Sequence, residues 1–217
     1  MAKFSRLWII GPALAVMAQM WPAPASAHPH VWVAVRSEVV FAVDGRISAV
    51  RHSWTFDEMY SAFAVQGLGK DGKPSKKELD DLAQVNVKQL EEYSYFTIAR
   101  AAGKPAEFKP VTDATITLDA NKIVTLHFTA TFKETASAGK AFMLQVFDPD
   151  YFVAFDFEKT NPVTMKDAPQ GCSLRMVTPR PLSEEDMKRL QESAGTNNSP
   201  GREFGSKLAT RASIACP

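Results

Sequence analysis

Residues 31 to 56 read VWVAVRSEVVFAVDGRISAVRHSWTF, and this stretch decides the fold of the chain. Val31 to Phe41 and Arg46 to Phe56 are both rich in Val, Ile, Phe, Trp and Thr, which favour strands. Asp44-Gly45 stands between the two runs, and glycine tolerates the positive φ that a tight turn needs. The stretch therefore predicts a β-hairpin.

Two helices are predicted directly after the hairpin. Thr55-x-x-Glu58 and Ser75-x-x-Glu78 both match the capping box, in which a hydroxyl and a carboxylate bind free backbone N–H groups at a helix start. From Leu79 to Tyr93 apolar residues recur at steps of three and four, so one face of the second helix should pack on a core.

Beyond Tyr95 short strand-like runs alternate with turn residues, which predicts a mainly antiparallel sheet. The predicted strands are Phe96 to Ala101, Ala106 to Lys109, Ala114 to Leu118, Ile123 to Phe132, Ala141 to Phe147, Tyr151 to Phe157, Cys172 to Val177 and Arg211 to Cys216. Ser183 to Glu192 is typical of a short helix, and residues 194–202 are expected to form a flexible segment. The predicted class is α+β, with a helical pair inserted between the hairpin and the sheet.

The start of the chain has the pattern of a secretory signal peptide. Lys3 and Arg6 precede an apolar run, and Ala25-Ser26-Ala27 fits a signal-peptidase site. The run is shorter than the roughly 20 residues of a membrane span, although a retained anchor is the alternative. We expect removal of residues 1–27, a single mature domain over 28–217, and a periplasmic location without stable membrane insertion.

Charge and motifs narrow the classes of function. The chain holds 25 basic and 24 acidic residues, and cleavage would remove two of the basic ones. This balance gives no reason to expect nucleic acid as a partner. No hydrolase nucleophile motif, phosphate-binding loop, dinucleotide fingerprint or zinc-protease motif occurs, so an enzyme is not expected.

The expected cleavage would make His28 the first residue, followed by Pro29 and His30. The terminal amine and ring of His28 can then chelate one metal ion. Pro29 lacks an N–H and blocks the amino-terminal copper and nickel motif, which needs deprotonated backbone amides. A metal would therefore draw on His30 or on residues distant in sequence. The alternative is a solvated, frayed terminus.

Other histidines and two carboxylates complete the candidate ligands. His127 shares a strand face with threonines, where a metal can reach it, whereas His52 alternates with apolar residues and is expected to be buried and hydrogen-bonded. Asp57 and Asp148 lie in aromatic-rich patches and can supply oxygen ligands, although a helix cap and a turn are strong alternative explanations for them. The predicted metal ligands are His28, His30, His127, Asp57 and Asp148.

Residues 67–78 resemble a calcium-binding EF-hand loop in outline. Asp71, Ser75 and Glu78 match its positions 5, 9 and 12, but Gly67 and Gly69 stand at positions 1 and 3, where oxygen ligands are required. Calcium binding is therefore not expected, and a helix cap accounts better for Ser75 and Glu78.

The chain has two cysteines, Cys172 and Cys216. An oxidising compartment favours a disulfide between them, and the alternative is a pair of thiol ligands to a metal.

Four ordered motifs resemble the domain of unknown function 1007 family: His28 to Trp32, Trp54 to Glu58, Asp148 to Phe155 and Gly171 to Ser173. The family comprises exported bacterial proteins labelled as a periplasmic component of an uncharacterised ABC-type transport system. Its members are often encoded beside nickel/cobalt exporter-type membrane proteins, and the resemblance implies metal handling. The closing stretch from Phe204 to Cys216 is also similar, which supports pairing of Cys172 with Cys216.

These patterns support three hypotheses of function. The first is a periplasmic protein that binds nickel, cobalt or zinc for a membrane metal transporter or another periplasmic transport component. The second is a non-catalytic interaction module whose aromatic patches, Trp54 to Tyr60 and Phe147 to Phe155, dock a partner. The third is a copper enzyme that uses the amino-terminal histidine as a brace.

Overall fold

The computed structural model describes residues 29–70, 72–139, 141–196 and 202–217. The expected signal peptide, His28 and Asp71 lie outside these residues. So do residues 197–201 of the segment that was expected to be flexible. Helices cover the backbone of the rest of that segment, because one helix ends at Thr196 and the next begins at Arg202.

Eleven strands and four helices occur in the described part of the chain. The strands are β1 Val31–Phe41, β2 Ile47–Phe56, β3 Thr97–Ala101, β4 Lys104–Ala106, β5 Thr115–Leu118, β6 Val124–Ala136, β7 Phe142–Val146, β8 Val153–Phe157, β9 Val163–Lys166, β10 Ser173–Val177 and β11 Arg211–Ala215. The helices are α1 Glu58–Ala64, α2 Lys76–Glu92, α3 Glu184–Thr196 and α4 Arg202–Leu208.

The predicted hairpin is confirmed. β1 and β2 pair antiparallel from Val33 opposite Phe56 to Phe41 opposite Ile47. In the turn, Gly45 adopts a φ of +76°, and the Asp44 side chain accepts a hydrogen bond of 3.0 Å from the Arg46 N–H. The hairpin forms the centre of the larger sheet.

Two mostly antiparallel sheets confirm the α+β class. The first sheet has the order β5-β6-β2-β1-β8, with β9 also paired to β1. The second has the order β10-β11-β7-β3-β4. β8 and β9 both run parallel to β1, each beside a different part of it. The sequence did not predict β9, α4 or these parallel pairings.

The second predicted helix is confirmed, but the predicted start of the first was wrong. α2 follows a complete capping box between Ser75 and Glu78. Thr55, which was predicted to cap the first helix, instead remains in β2, and its hydroxyl lies 3.0 Å from that of Thr125 in β6. Strand pairing therefore continues to Phe56, and Asp57 caps α1.

Two hydrophobic clusters share the inner face of the first sheet. One includes Val35 and Trp54 of the sheet and Ala83 and Val87 of α2. The other joins residues such as Val39 to the inner face of the second sheet, including Leu144. The helical pair and the second sheet thus cover the same side of the hairpin.

Candidate functional site

His30 lies directly before β1 and is tied to the start of β8. Its backbone N–H donates a 2.9 Å hydrogen bond to the Phe152 carbonyl. Its imidazole packs on the Phe152 ring at a centroid distance of 4.7 Å. The next residue, Val31, pairs with Val153. His30 therefore has a defined place at this end of the sheet, where its side chain is exposed.

Asp57 lies between β2 and α1 and is hydrogen-bonded to β1 at the same end. Its carboxylate accepts hydrogen bonds from the backbone N–H of Trp32 at 2.9 Å and of Tyr60 at 2.8 Å, one at each oxygen. Its own N–H donates to the Trp32 carbonyl at 3.0 Å. Asp57 is thus the N-cap of α1, and its bonds to Trp32 hold the start of the helix beside the start of β1.

Asp148 organises the loop that leads into β8. Its side chain is 5% exposed and accepts three backbone hydrogen bonds, from Asp150, Phe152 and Val153, at 2.9 to 3.0 Å. These bonds satisfy N–H groups that the loop would otherwise leave unpaired. The arrangement matches the turn alternative better than a metal ligand. We call His30, Trp32, Asp57 and the 148–152 loop the amino-terminal edge.

The fold separates His127 from the amino-terminal edge. His127 lies opposite Ser53, and Ser53 lies opposite Arg36, six residues along β1 from His30. At a rise of about 3.3 Å per residue, the two histidine positions differ by about 20 Å along the strands. The imidazole of His127 bonds Ser53 through Nδ1 at 3.0 Å and Thr117 through Nε2 at 2.9 Å. Partial burial lowers its pKa.

His52 is buried and hydrogen-bonded, as predicted. Its Nδ1 lies 3.0 Å from the Ser37 hydroxyl, and its Nε2 lies 3.3 Å from the Thr97 hydroxyl. Complete burial lowers the pKa of His52 to about 3, so the ring is neutral at neutral pH.

The residues of the calcium-like loop serve as a helix cap. Glu78 accepts hydrogen bonds from the N–H and hydroxyl of Ser75, both at 2.7 Å, and from the Gly69 N–H at 2.9 Å. These bonds lower the pKa of the Glu78 carboxyl, with the Ser75 hydroxyl as the largest cause. Gly69 must be glycine, because a Cβ there would lie 2.2 Å from the Lys73 carbonyl oxygen. Asp71 lies outside the described residues.

Cys172 and Cys216 form a disulfide. They lie beside the paired residues Ser173 and Ala215, so the bond closes the end of the β10–β11 ladder. Neither sulfur is therefore a thiol ligand.

Exposed apolar side chains surround the amino-terminal edge. Trp32 is 48% and Phe63 is 72% exposed, and Met59, Tyr151 and Phe152 are also exposed. Trp54 and Phe147, which were expected in docking patches, are instead buried. Met59 lies within the predicted patch Trp54 to Tyr60, but sequence reasoning did not single out Phe63, although the spacing of four residues between the two on α1 marks one helix face.

Across the residues that the structure describes, no group of three or more His, Cys, Asp or Glu side chains is arranged to hold a metal ion. That set does not include His28. In the same part of the chain no helix has the length and apolar character needed to cross a membrane.

The described elements define an α+β protein with two sheets and a hydrogen-bonded amino-terminal edge. Residues 13–216 match the model of the family described as protein of unknown function DUF1007. The match covers nearly the whole chain, so the protein belongs to this family, as its motifs indicated. No curated protein matches the chain.

Proposed function

We propose that the protein is an exported accessory protein that holds a divalent transition metal, nickel, cobalt or zinc, for a membrane transporter. The proposed ligands are the amine and imidazole of His28 and the imidazole of His30. The observation that carries the proposal is the attachment of His30 to Phe152, because hydrogen bonds hold the chain in place from His30 onward.

The geometry narrows the set of supporting ligands. Two residues of extended chain span at most about 7 Å, so His28 stays within reach of a metal held by His30. Asp57 bonds Trp32, two residues after His30, and each of its oxygens accepts one bond and keeps a second lone pair. Asp148 is buried and already accepts three backbone hydrogen bonds from its loop, and His127 lies too far away. We therefore leave both out of the proposed site.

Calorimetry of the mature protein with Ni²⁺, Co²⁺, Zn²⁺ and Cu²⁺ tests this function. We expect His30→Ala to weaken binding about tenfold or more, which corresponds to about 1.4 kcal/mol. His127→Ala is the matched control, because it removes a second accessible histidine from the same sheet, and it should leave the affinity unchanged. A protein with one residue added before His28 should also bind more weakly, since its terminal amine is displaced.

Two results would contradict the proposal. The first is a mature protein that binds none of the four ions, and the second is an affinity that His30→Ala and the added residue both leave unchanged. Binding of Cu²⁺ alone, with peroxide-dependent turnover, would instead favour the copper enzyme.

The exposed apolar residues favour a second candidate, a non-catalytic interaction module of a periplasmic transport complex. Trp32 belongs to the amino-terminal edge and Phe63 lies on α1, which begins there, whereas the exposed Val43 lies in the hairpin turn at the opposite end of β1. Recovery of the membrane transporter from solubilised membranes should fall when Trp32 and Phe63 are both replaced by alanine. Val43→Ala should not change it, and equal recovery with all variants would argue against docking at this end.

A further inference from the structure

A cavity of about 620 Å³ lies on the outer face of the second sheet and shares no residue with the amino-terminal edge. Its floor includes Met143 and Gln145 of β7, which point away from the buried Leu144 and Val146. Residues 177–183 form one side. The volume falls within the range of about 300 to 1,000 Å³ that is usual for small-molecule sites.

Hydrogen bonds hold the walls of this cavity in place. The buried Gln145 amide donates to the carbonyl oxygens of Ser206 and Ala209 at 3.0 and 3.1 Å, and it accepts from the Ser206 hydroxyl. These bonds fix α4 against β7. On the other side, Lys207 of α4 pairs with Asp186 of α3 at 2.9 Å, which joins the two helices.

The charges on the cavity wall are unbalanced. Its basic residues are Arg180, Lys207 and Arg211, and its carboxylate is Asp186. Lys207 already neutralises Asp186, and it is the main cause of the lowered pKa of that carboxyl. Among the residues that the structure describes, no carboxylate forms an ion pair with Arg180 or Arg211. The side chain of Arg211 contacts the Met143 sulfur at 4.0 Å.

Both arginines are placed by their backbone. Arg211 begins β11 and pairs with Gln145 on one side and Val177 on the other. Arg180 follows Val177 by three residues and stands between Pro179 and Pro181. Pro179 has a fixed φ, and Pro181 favours an extended backbone at the residue before it, which is Arg180. Two arginines therefore line one cavity from backbone positions that have little freedom.

We infer that this cavity binds a small anion that carries phosphate or carboxylate groups, with the guanidinium groups of Arg180 and Arg211 as its main partners. A guanidinium offers a planar fork of N–H donors that matches both groups in a two-point contact. Gln145 supports the cavity, but both N–H donors of its amide are already used, so it has none left for an anion. This inference is independent of the proposed metal function.

Titration with inorganic phosphate and with succinate, followed by NMR in metal-free buffer at low ionic strength, tests the inference. We expect saturable binding of at least one probe. Arg180→Gln and Arg211→Gln should each weaken it about tenfold, because each removes charge-assisted hydrogen bonds. Arg175→Gln is the matched control, because Arg175 is exposed on the same sheet face outside the cavity, and its effect should stay below about twofold.

Absence of saturation with both probes would overturn the inference. So would an equal loss in the Arg175 variant, since that result would indicate general attraction to a basic face. If Arg211→Gln lowers the melting temperature, Arg180→Gln remains decisive, because Arg180 lies in an exposed loop. The phosphate and succinate titrations contain no metal ion. A failure of the metal titration proposed above therefore leaves this result unaffected.

Discussion

Acid should destabilise the protein through His52, whose imidazole is 2% exposed and held in a hydrogen-bonded chain. Thr97 donates its hydroxyl hydrogen to the Tyr95 carbonyl at 2.7 Å. Its oxygen is then left to accept from Nε2 of His52, and Nδ1 accepts from Ser37. The network thus assigns the neutral ring with hydrogen on Nε2, and a second proton has no place in it without rearrangement.

The size of the effect follows from the difference in pKa between the two states. His52 has an ordinary pKa of 6.5 when unfolded and a pKa of about 3 when folded. Above the unfolded pKa the ring is neutral in both states, and the free energy of unfolding does not depend on the titration of His52. As the pH falls below that value the unfolded state gains a proton first, so stability is lost until the folded pKa is reached. Each pH unit below the unfolded pKa lowers the free energy of unfolding by about 1.4 kcal/mol. At about pH 4.5, two units below that pKa, the loss is about 3 kcal/mol.

Urea denaturation of the wild type and of His52→Gln at about pH 7.5 and pH 4.5 measures this contribution. The glutamine removes the titration, so the wild type should lose about 3 kcal/mol more than the variant between the two pH values. All other titrating groups, His127 included, are common to both proteins and cancel. Equal pH dependence in the two proteins would refute the reasoning, whatever their absolute stabilities are.

Three further perturbations have expected outcomes in urea denaturation at neutral pH. Replacing both Cys172 and Cys216 by alanine should cost about 4 kcal/mol, because the bond closes a segment whose ends are 44 residues apart; a loss under about 1 kcal/mol would contradict this. Ser75→Ala removes half of the capping box and should cost about 1 kcal/mol, and an unchanged midpoint would argue against the cap. Asp148→Ala should cost about 3 kcal/mol because it leaves three backbone donors unpaired, whereas the exposed Asp150 should tolerate alanine within about 0.5 kcal/mol. Similar losses at the two aspartates would show that the buried carboxylate has no special role.

Most elements of the fold could be predicted because their signals are local. The turn at Asp44-Gly45 and the cap at Ser75 each depend on residues within four positions of one another. The start of α1 could not be predicted from such local residues. Thr55 satisfies the cap pattern, but pairing with β6 keeps it in a strand, and this competing contact is 70 residues away in sequence.

The candidate site was less predictable than the fold because its contacts join distant segments. The burial of His52 followed from the alternation of apolar residues along β2, which is a property of one strand. The position of His127 relative to His30 depends on the register of three strands, and no single strand encodes it. The parallel pairing of β1 with β8 is likewise a contact between segments more than 100 residues apart.

Asp57 and Asp148 of the amino-terminal edge illustrate why residue type alone does not identify a ligand. β1 begins beside a helix start and a tight loop, and both leave backbone N–H groups without strand partners. Asp57 and Asp148 accept hydrogen bonds from these groups, so their charges stabilise the frame around His30. A metal that withdrew the Asp148 carboxylate would leave three part-buried backbone donors unpaired, which costs about 1 kcal/mol for each donor. The lowest-cost ligands at this edge are therefore the histidine nitrogens, and metal affinity should depend on them rather than on Asp148.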